Sequence, residues 1–290
     1  MTIGNAIFQG IVQGLTEFLP VSSSGHLSLI QYFTGQGGQD GLLFTVLLHV
    51  GTLLAVFLAF WNTISGLIAE FFLMLGDIFR GRFSWKGASP RRRMVLLLLL
   101  SLLPLFITVL LRDWFASLAT DDSLVAEGIS FMITGTLLFI ADRCVKGHKT
   151  AKSMKPFDAL AIGTMQAIAP IPGLSRSGST IAAGLLAGLE KKYAVAFSFI
   201  MSLPAVMGAT ILEVGDAVQQ GVTMPIYAMA VGMLFAFVFG LLGIKMVRWL
   251  VVSDKFKYFA WYTMTLGVLV LSAAAIEHAT GGLIRTILTR

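Results

Sequence analysis

Two short polar runs interrupt long apolar stretches of this sequence, and they hold the side chains with the clearest capacity for chemistry. The first run, 13–26, contains Glu17, His26 and three consecutive serines. The second run, 170–180, places Arg176 between two serines. Ionisable groups within membrane-length apolar sequence are costly to bury and usually serve a function. We therefore take these two runs as the candidate site.

The residue types of both runs suit an anion of the phosphate type. A helix that begins inside apolar sequence exposes N–H groups in its first turn, and neighbouring serine hydroxyls add further donors. Arg176 adds a permanent positive charge and a planar fork that matches phosphate oxygens. We therefore expect two facing helix N-termini to bind a multiply charged phosphate-type anion.

A serine, a histidine and a glutamate together suit hydrolysis. Glu17 and His26 are the acid–base candidates of the first run, and the serines at 22–24 are the candidate nucleophiles. Cleavage of a phosphoanhydride needs in-line positioning and neutralised phosphate oxygens, which Arg176, the helix N-termini and a divalent cation would provide. Glu17 is the one carboxylate of the runs that could hold Mg²⁺, which often binds through few carboxylates plus substrate phosphates.

Several other polar residues have plainer interpretations. Gln13 and Gln166 are expected to support the scaffold by hydrogen bonding. His49 lies within a span, where a hydrogen bond between helices explains it. An ion pair of Arg176 with Glu17 would join the two regions without excluding catalysis. Small residues let membrane helices approach closely, which explains three further serines: Ser28, Ser198 and Ser202.

The composition places these residues in a membrane protein. Of 290 residues, 12 % are charged and 56 % are hydrophobic, whereas soluble proteins have about 25 % charged residues. The net charge of +6 does not indicate a nucleic-acid partner, because the basic residues cluster in short loops between apolar segments, where they set membrane orientation. We predict a single all-α membrane domain over residues 1–290.

Neither a disulfide nor a cleaved leader is predicted. Cys144 is the only cysteine, so the chain can form no internal disulfide and no thiolate metal site. The first apolar stretch lacks a basic flank and an A-x-A-like cleavage motif, and it leads into Glu17 and Pro20. We therefore expect it to belong to the mature protein.

Charge in the connections predicts the orientation of the spans. The basic connections 80–93 and 142–155 are predicted to be cytoplasmic, and the acidic connections 112–122 and 213–223 to lie outside. Both termini then lie outside as well. The segment 64–79 is predicted to form an interfacial helix. Six spans of sufficient length are predicted: 42–61, 94–111, 123–141, 193–213, 225–247 and 258–277.

The two regions that contain the polar runs do not read as clean spans. Regions 3–34 and 157–190 are apolar but broken near their middles by proline, serine and glycine. The predicted topology requires the chain to enter and leave each region on one side. Each is therefore expected to form a re-entrant pair of short helices, the first inserted from outside and the second from the cytoplasm.

The two regions also resemble each other. Because the span 42–61 is predicted to run inward and its counterpart 193–213 outward, we expect an inverted repeat with a site near the midplane. The repeat halves are about 3–61 and 156–214, and the remaining helices lie at 94–141 and 225–277. A constant shift of 153 residues aligns eight pairs: Ala6 with Ala159, Gly10 with Gly163, Gln13 with Gln166, Ser22 with Ser175, Ser24 with Ser177, Gly25 with Gly178, Gly35 with Gly188, and Phe44 with Phe197.

Both runs resemble motifs of the undecaprenyl-diphosphate phosphatase family, integral membrane enzymes linked to bacitracin resistance. In the first run, Gln13-x-x-x-Glu17 is followed by the sequence P-V-S-S-S-G-H that ends at His26. In the second, the match is Pro172-Gly173-x-Ser175-Arg176-Ser177-x-x-Thr180. The surrounding pattern, including 197–199 and 204–210, follows the family over most of the chain.

The resemblance implies an activity and a location. The reaction would be hydrolysis of undecaprenyl diphosphate to undecaprenyl phosphate and inorganic phosphate. It recycles the lipid carrier of peptidoglycan synthesis and confers bacitracin resistance. The enzyme would lie in the bacterial cytoplasmic membrane, use a divalent cation such as Mg²⁺ or Ca²⁺, and open its site to the extracytoplasmic side. A homodimer is left open.

The resemblance also assigns roles to residues. Ser23 is implied to be the nucleophile, Glu17 and His26 to serve in activation, proton transfer or metal contact, and Arg176 to bind the diphosphate. Where the family admits Glu or Gln this chain has Gln13, so Glu17 alone must serve as the metal carboxylate. A phospho-serine intermediate and direct attack by water both stay open. We expect the diphosphate to contact Ser22, Ser24, Gly25, Gly173, Ser175, Ser177 and Thr180.

A function of another class competes with hydrolysis. Inverted repeats, broken helices and a midplane anion site are also typical of secondary transporters. The alternative is therefore a transporter for an anion, or a flippase for a lipid phosphate.

Overall fold

The computed structural model describes residues 2–35, 39–84, 87–111, 114–115, 117, 123–143, 147–219, 225–253, 255–281 and 284. Cys144 lies outside this part of the chain, as does most of the predicted outer connection 112–122. The described residues form helices and connections, with one isolated backbone bridge between Lys149 and Leu189. The helices are α1 Ile3–Phe18, α2 Ser23–Thr34, α3 Gln39–Ala59, α4 Trp61–Phe79, α5 Pro90–Leu102, α6 Leu105–Leu110, α7 Val125–Asp142, α8 Pro156–Ile168, α9 Arg176–Leu186, α10 Lys191–Gln219, α11 Ile226–Val252 and α12 Phe256–Thr280.

Among the described residues, six helices are long and apolar enough to cross a membrane. Five of them overlap predicted spans. The predicted span 42–61 corresponds to α3, whose apolar part is the shorter helix Leu43–Ala59. The sixth long helix is α4, with 19 residues. It covers the segment 64–79, for which the sequence predicts an interfacial helix. The interfacial position of this helix stays a prediction. The six are Trp61–Phe79, Pro90–Leu110, Val125–Asp142, Lys191–Asp216, Ile226–Val251 and Phe256–Thr280.

Each broken region contains two short helices joined by a turn. Helices α1 and α2 have 16 and 12 residues, and α8 and α9 have 13 and 11. At about 1.5 Å per residue, each is shorter than the roughly 30 Å of a bilayer core. In both regions a serine at the end of the turn is the N-cap residue of the second short helix. Ser22 accepts a hydrogen bond from the N–H of Gly25, and Ser175 accepts one from the N–H of Gly178.

Glycines let the first helix of each broken region pack closely against a longer helix. Helix α1 lies along α11, and α8 lies along α5. A Cβ atom at Gly10 would lie 2.6 Å from the carbonyl oxygen of Gly232, and one at Gly163 would lie 2.1 Å from that of Ser101. Backbone therefore touches backbone at both crossings, as small residues permit in membrane helices.

The main apolar core lies directly beside the turn of the first region. Phe18, the last residue of α1, is 1 % exposed and packs edge-on against Phe199 of α10, with ring centroids 5.2 Å apart. Phe60 contacts the same Phe199 ring from the end of α3. Since Phe18 follows Glu17 in the sequence, this packing fixes the position of the Glu17 backbone.

Gly163→Ala is expected to destabilise the protein by about 1–3 kcal/mol, because the new methyl group must push α8 away from α5. The matched control is Gly208→Ala in α10, where no described atom lies within 4 Å of a Cβ position. The control should be neutral or slightly stabilising, since alanine is the better helix former. Denaturant unfolding in detergent micelles measures both, and equal stability of the two variants would refute the close crossing.

Candidate active site

The two polar turns, far apart in sequence, touch each other in the structure. The Ser177 hydroxyl donates a hydrogen bond of 3.2 Å to the carbonyl oxygen of Leu19. A Cβ atom at Gly25 would lie 2.9 Å from the Cα of Gly173. Gly173 itself has a φ of 82°, a conformation that side chains disfavour. The turns therefore meet through backbone, with no room for larger residues between them.

The buried carboxylate of Glu17 accepts hydrogen bonds from Ser23 of the first turn and Arg176 of the second. Glu17 Oε2 accepts hydrogen bonds from Ser23 Oγ at 2.5 Å and from Gln13 Nε2 at 2.9 Å. Glu17 Oε1 accepts one from Nη2 of Arg176. The Glu17 side chain is 5 % exposed and that of Arg176 is 18 % exposed. Ser23 and Arg176 therefore lie within reach of one small ligand.

The other terminal nitrogen of the Arg176 guanidinium is a hydrogen-bond donor without a partner in the described part of the chain. Arg176 Nη1 is buried and has no hydrogen-bond partner among the described residues. A buried donor without a partner costs free energy, and such groups mark places where a ligand or water binds. The fork can therefore hold Glu17 with one nitrogen and an anion with the other.

The two turns share one hydrogen-bond pattern at equivalent positions. In each, the first serine caps the helix through the third N–H. The hydroxyls of Ser22 and Ser24 lie 3.3 Å apart, and those of Ser175 and Ser177 lie 3.4 Å apart. Ser23 and Arg176 occupy the same place in the two turns, as the first residue of α2 and of α9. One turn thus presents a hydroxyl where the other presents a cation.

Ser22 holds the first turn in a strained conformation. Its φ is 69°, and no other described residue except glycine has a positive φ. This conformation costs a non-glycine residue about 1–3 kcal/mol and persists where surrounding contacts enforce it. Here the contacts are the cap on Gly25 and a hydrogen bond from His26 to the Ser22 carbonyl oxygen.

His26 braces this turn through both ring nitrogens. Nδ1 lies 2.7 Å from the carbonyl oxygen of Ser22, so Nδ1 carries the proton. Nε2 lies 2.7 Å from the hydroxyl of Tyr262 in α12 and accepts a hydrogen bond from it. The edge of the ring also packs against Phe131. The hydrogen bond of Ser23 goes to Glu17, whereas His26 contacts the backbone beside it.

Most polar groups of the second turn are engaged in holding its shape. The N–H of Ser175 donates to Thr134 Oγ1 at 3.0 Å. Thr180 Oγ1 donates to the carbonyl oxygen of Arg176 at 2.8 Å and lies 2.6 Å from Ser198 Oγ. Gln166 Nε2 donates to the carbonyl oxygen of Met201 at 3.4 Å. These hydroxyls shape the helix N-terminus, which leaves its backbone N–H groups as the donors for a ligand.

His49 lies beside the Glu17 carboxylate, although its position within a span favours a hydrogen bond between helices. The hydrogen bond expected between helices lies within α3 instead, from Nδ1 to the carbonyl oxygen of Thr45 at 2.8 Å. Its Nε2 lies 3.5 Å from Glu17 Oε2. The sequence did indicate a functional role for His49, because an ionisable residue inside a membrane span is functional by default.

The described residues contain no group of three or more His, Cys, Asp or Glu side chains that could hold a metal ion. At the site itself, Glu17 and His49 form a pair. A cation here would therefore need further ligands from a substrate or from water.

Comparison with known proteins gives consistent results over most of the chain. A family model described as bacitracin resistance protein BacA matches residues 6–269. The undecaprenyl-diphosphatase of Alkaliphilus metalliredigens is 39 % identical over 273 residues, which are 93 % of this chain and 98 % of the relative. That of Treponema denticola is 40 % identical over 275 residues, 92 % and 96 % of the two chains. That of Methanosphaera stadtmanae is 35 % identical over 280 residues, 95 % and 99 %.

Glu17 and Arg176 are expected to be coupled in stability. Glu17→Gln leaves a buried guanidinium without its charged partner, which typically costs about 3–5 kcal/mol. The double variant Glu17→Gln with Arg176→Gln removes both charges and should cost less than the sum of the two single variants. Unfolding in mixed micelles measures all three proteins. Additive costs would show that the two side chains do not interact.

Proposed function

The chain belongs to the bacitracin resistance protein BacA family, and we propose that it hydrolyses undecaprenyl diphosphate to undecaprenyl phosphate and inorganic phosphate. One observation carries the proposal: Ser23 and Arg176, from two turns, hold the same Glu17 carboxylate between two helix N-termini. In the cell this reaction would recycle the lipid carrier for peptidoglycan synthesis and confer resistance to bacitracin.

Ser23 is the proposed nucleophile, activated by Glu17. Its hydroxyl already donates to Glu17 Oε2 at 2.5 Å, so the proton passes to the carboxylate as Oγ attacks the terminal phosphorus. The new bond joins Oγ to phosphorus, and the bond to the bridging oxygen breaks to release undecaprenyl phosphate. Water then hydrolyses the phospho-serine and releases inorganic phosphate.

Arg176 and the two helix N-termini are proposed to bind the diphosphate. The unpartnered Nη1 of Arg176 would take a phosphate oxygen while Nη2 stays on Glu17. First-turn N–H groups of α2 and α9 supply further donors and the positive ends of two helix dipoles. In this proposal the hydroxyls of Ser22, Ser24, Ser175, Ser177 and Thr180 shape the cradle. Gly25 and Gly173 let the two turns approach each other closely enough to share one ligand.

His26 is proposed to act on the reaction through the turn. Its hydrogen bond to the Ser22 carbonyl oxygen maintains the strained backbone that precedes Ser23. Unlike proton transfer or metal contact, this role needs no free ring nitrogen, in agreement with the bond to Tyr262.

A divalent cation, Mg²⁺ or Ca²⁺, is proposed as the cofactor, with Glu17 among its ligands. Its contribution would be to neutralise diphosphate oxygens during cleavage. Few protein ligands suffice for Mg²⁺, which commonly retains waters and binds substrate phosphates. The single carboxylate beside the unpartnered Arg176 donor fits such an arrangement.

The inverted repeat and the re-entrant insertion of both helix pairs are part of the same proposal. Support comes from the shared capping pattern and from the crossed packing, in which α1 lies along α11 and α8 along α5. The charge of the connections favours both termini on the extracytoplasmic side of the cytoplasmic membrane. The opening of the site to that same side is proposed from the family resemblance alone.

Purified protein in detergent should release inorganic phosphate from a long-chain polyprenyl diphosphate when Mg²⁺ or Ca²⁺ is supplied. Absence of release with either cation would refute the phosphatase. Transport of phosphate or of a lipid phosphate by sealed proteoliposomes, without hydrolysis, would instead favour the transporter or flippase, which paired broken helices also suit.

Ser23→Ala should reduce turnover by about a thousandfold or more, as the loss of a nucleophile does in other hydrolases. The matched variant is Ser28→Ala, one turn further along α2, whose hydroxyl donates to Glu127 at 2.6 Å. Its turnover should stay close to that of the native protein. Phosphate release under single-turnover conditions measures both, and similar rates for the two variants would remove Ser23 from the reaction.

A further inference from the structure

We propose that His49 is the second protein ligand, beside Glu17, of the divalent cation at this site. The inference rests on the proposed function and adds to it a residue from a third helix, α3. It also predicts the class of cation: one that accepts an imidazole nitrogen, such as Mn²⁺, should bind more tightly than Ca²⁺, which prefers oxygen ligands.

The hydrogen bond of Nδ1 determines which His49 nitrogen is available. Nδ1 lies 2.8 Å from the carbonyl oxygen of Thr45 and must donate to it. In the neutral ring this leaves the Nε2 lone pair available to a cation, and Nε2 lies 3.5 Å from Glu17 Oε2. Histidines that bind metals usually donate their other ring N–H to a carbonyl or carboxylate in this way, which fixes the orientation of the ring.

The distance between His49 and Glu17 favours a shared cation over a direct bond. Charge-assisted hydrogen bonds between nitrogen and carboxylate oxygen measure about 2.7–2.9 Å, whereas Nε2 and Oε2 are 3.5 Å apart. Gln13 and Ser23 do reach this same oxygen at 2.9 and 2.5 Å. Nitrogen and oxygen ligands lie about 2.0–2.2 Å from Zn²⁺, and oxygen ligands about 2.0–2.1 Å from Mg²⁺. Two ligand atoms 3.5 Å apart can therefore share one divalent cation of similar size.

The space beside His49 is open to further ligands of the cation, and a bound diphosphate would balance the positive charge there. The His49 side chain is 24 % exposed, in contrast to the 5 % of Glu17, so phosphate oxygens and water can approach from the histidine side. Arg176 binds the other carboxylate oxygen, Oε1, and does not occupy this position. A bound diphosphate would offset the charges of both the cation and Arg176.

His49 supplies a ligand atom that the neighbouring Gln13 does not. Gln13 turns its amide nitrogen toward Glu17, and an amide N–H donates and cannot bind a cation. His49 brings a metal-binding atom to Glu17 from α3 instead. The equivalent position in the other half is Ser202, whose hydroxyl donates to the carbonyl oxygen of Phe199. The ligand set is therefore confined to the first half.

The test uses Mn²⁺ with methylenediphosphonate, a diphosphate analogue that cannot be hydrolysed, on the full-length protein. Both exposed histidines are first replaced, as His148→Gln and His278→Gln, so that only His26 and His49 remain. Pulsed EPR then detects the nitrogen coupling of a histidine bound to Mn²⁺. We expect this coupling in the parent protein and in its His26→Gln variant, and we expect His49→Gln to abolish it and to weaken Mn²⁺ binding about 10- to 100-fold.

A second variant separates lost ligation from misfolding. His49→Asp replaces the nitrogen by an oxygen ligand and should retain Mn²⁺ while losing the nitrogen coupling. Nitrogen coupling that survives His49→Gln, or Mn²⁺ bound to the parent without such coupling, would overturn the inference. Phosphate release from the same preparations tests the proposed function separately, because an active enzyme without nitrogen coupling refutes only the role of His49. Coupling in an inactive protein would support that role and refute the hydrolysis.

Discussion

The buried charge of Glu17 is the constraint on which the rest of this structure depends. A carboxylate in a membrane protein must have its charge balanced within the fold, because water and salt do not reach it freely. Four elements contribute to this balance: Gln13 of α1, Ser23 at the start of α2, His49 of α3 and Arg176 at the start of α9. The same contacts that make Glu17 tolerable also assemble a hydroxyl, a base and a guanidinium at one point.

Close backbone packing makes that convergence possible. The helices of each broken region are too short to span a bilayer, so their turns depend on neighbours for position. Gly10 and Gly163 let α1 and α8 lie directly on the backbones of α11 and α5. Phe18 and Phe199 then fix the end of α1 from the core side. The short helices consequently act as rigid supports that hold the two N-termini against each other.

Much of this arrangement could be predicted from the sequence, and the remainder has identifiable physical reasons. Apolar length predicts the spans, and the Ser-Gly-Pro breaks predict the two turns, because both signals are local. The ion pair of Glu17 with Arg176 is long-range, yet the sequence suggests it because few ionisable groups are available as partners within the apolar stretches. The bond of His26 to Tyr262 depends on how α2 and α12 pack, and no local pattern encodes it. The approach of His49 to Glu17 likewise depends on the rotation of α3. For α4, hydropathy could not distinguish an interfacial helix from a span because its acidic residues, Glu70 and Asp77, are paired with Arg92.

The contact between Gly25 and Gly173 has a consequence for drug resistance. Neither position has room for a β-carbon, since one at Gly25 would meet the Gly173 backbone and one at Gly173 would meet the Glu127 backbone. A larger side chain at either position would push the two turns apart and separate Ser23 from Arg176. In the proposed mechanism, such a substitution would disable the protein itself. Few mutations at the Gly25–Gly173 contact would therefore give resistance to an antibiotic that binds there.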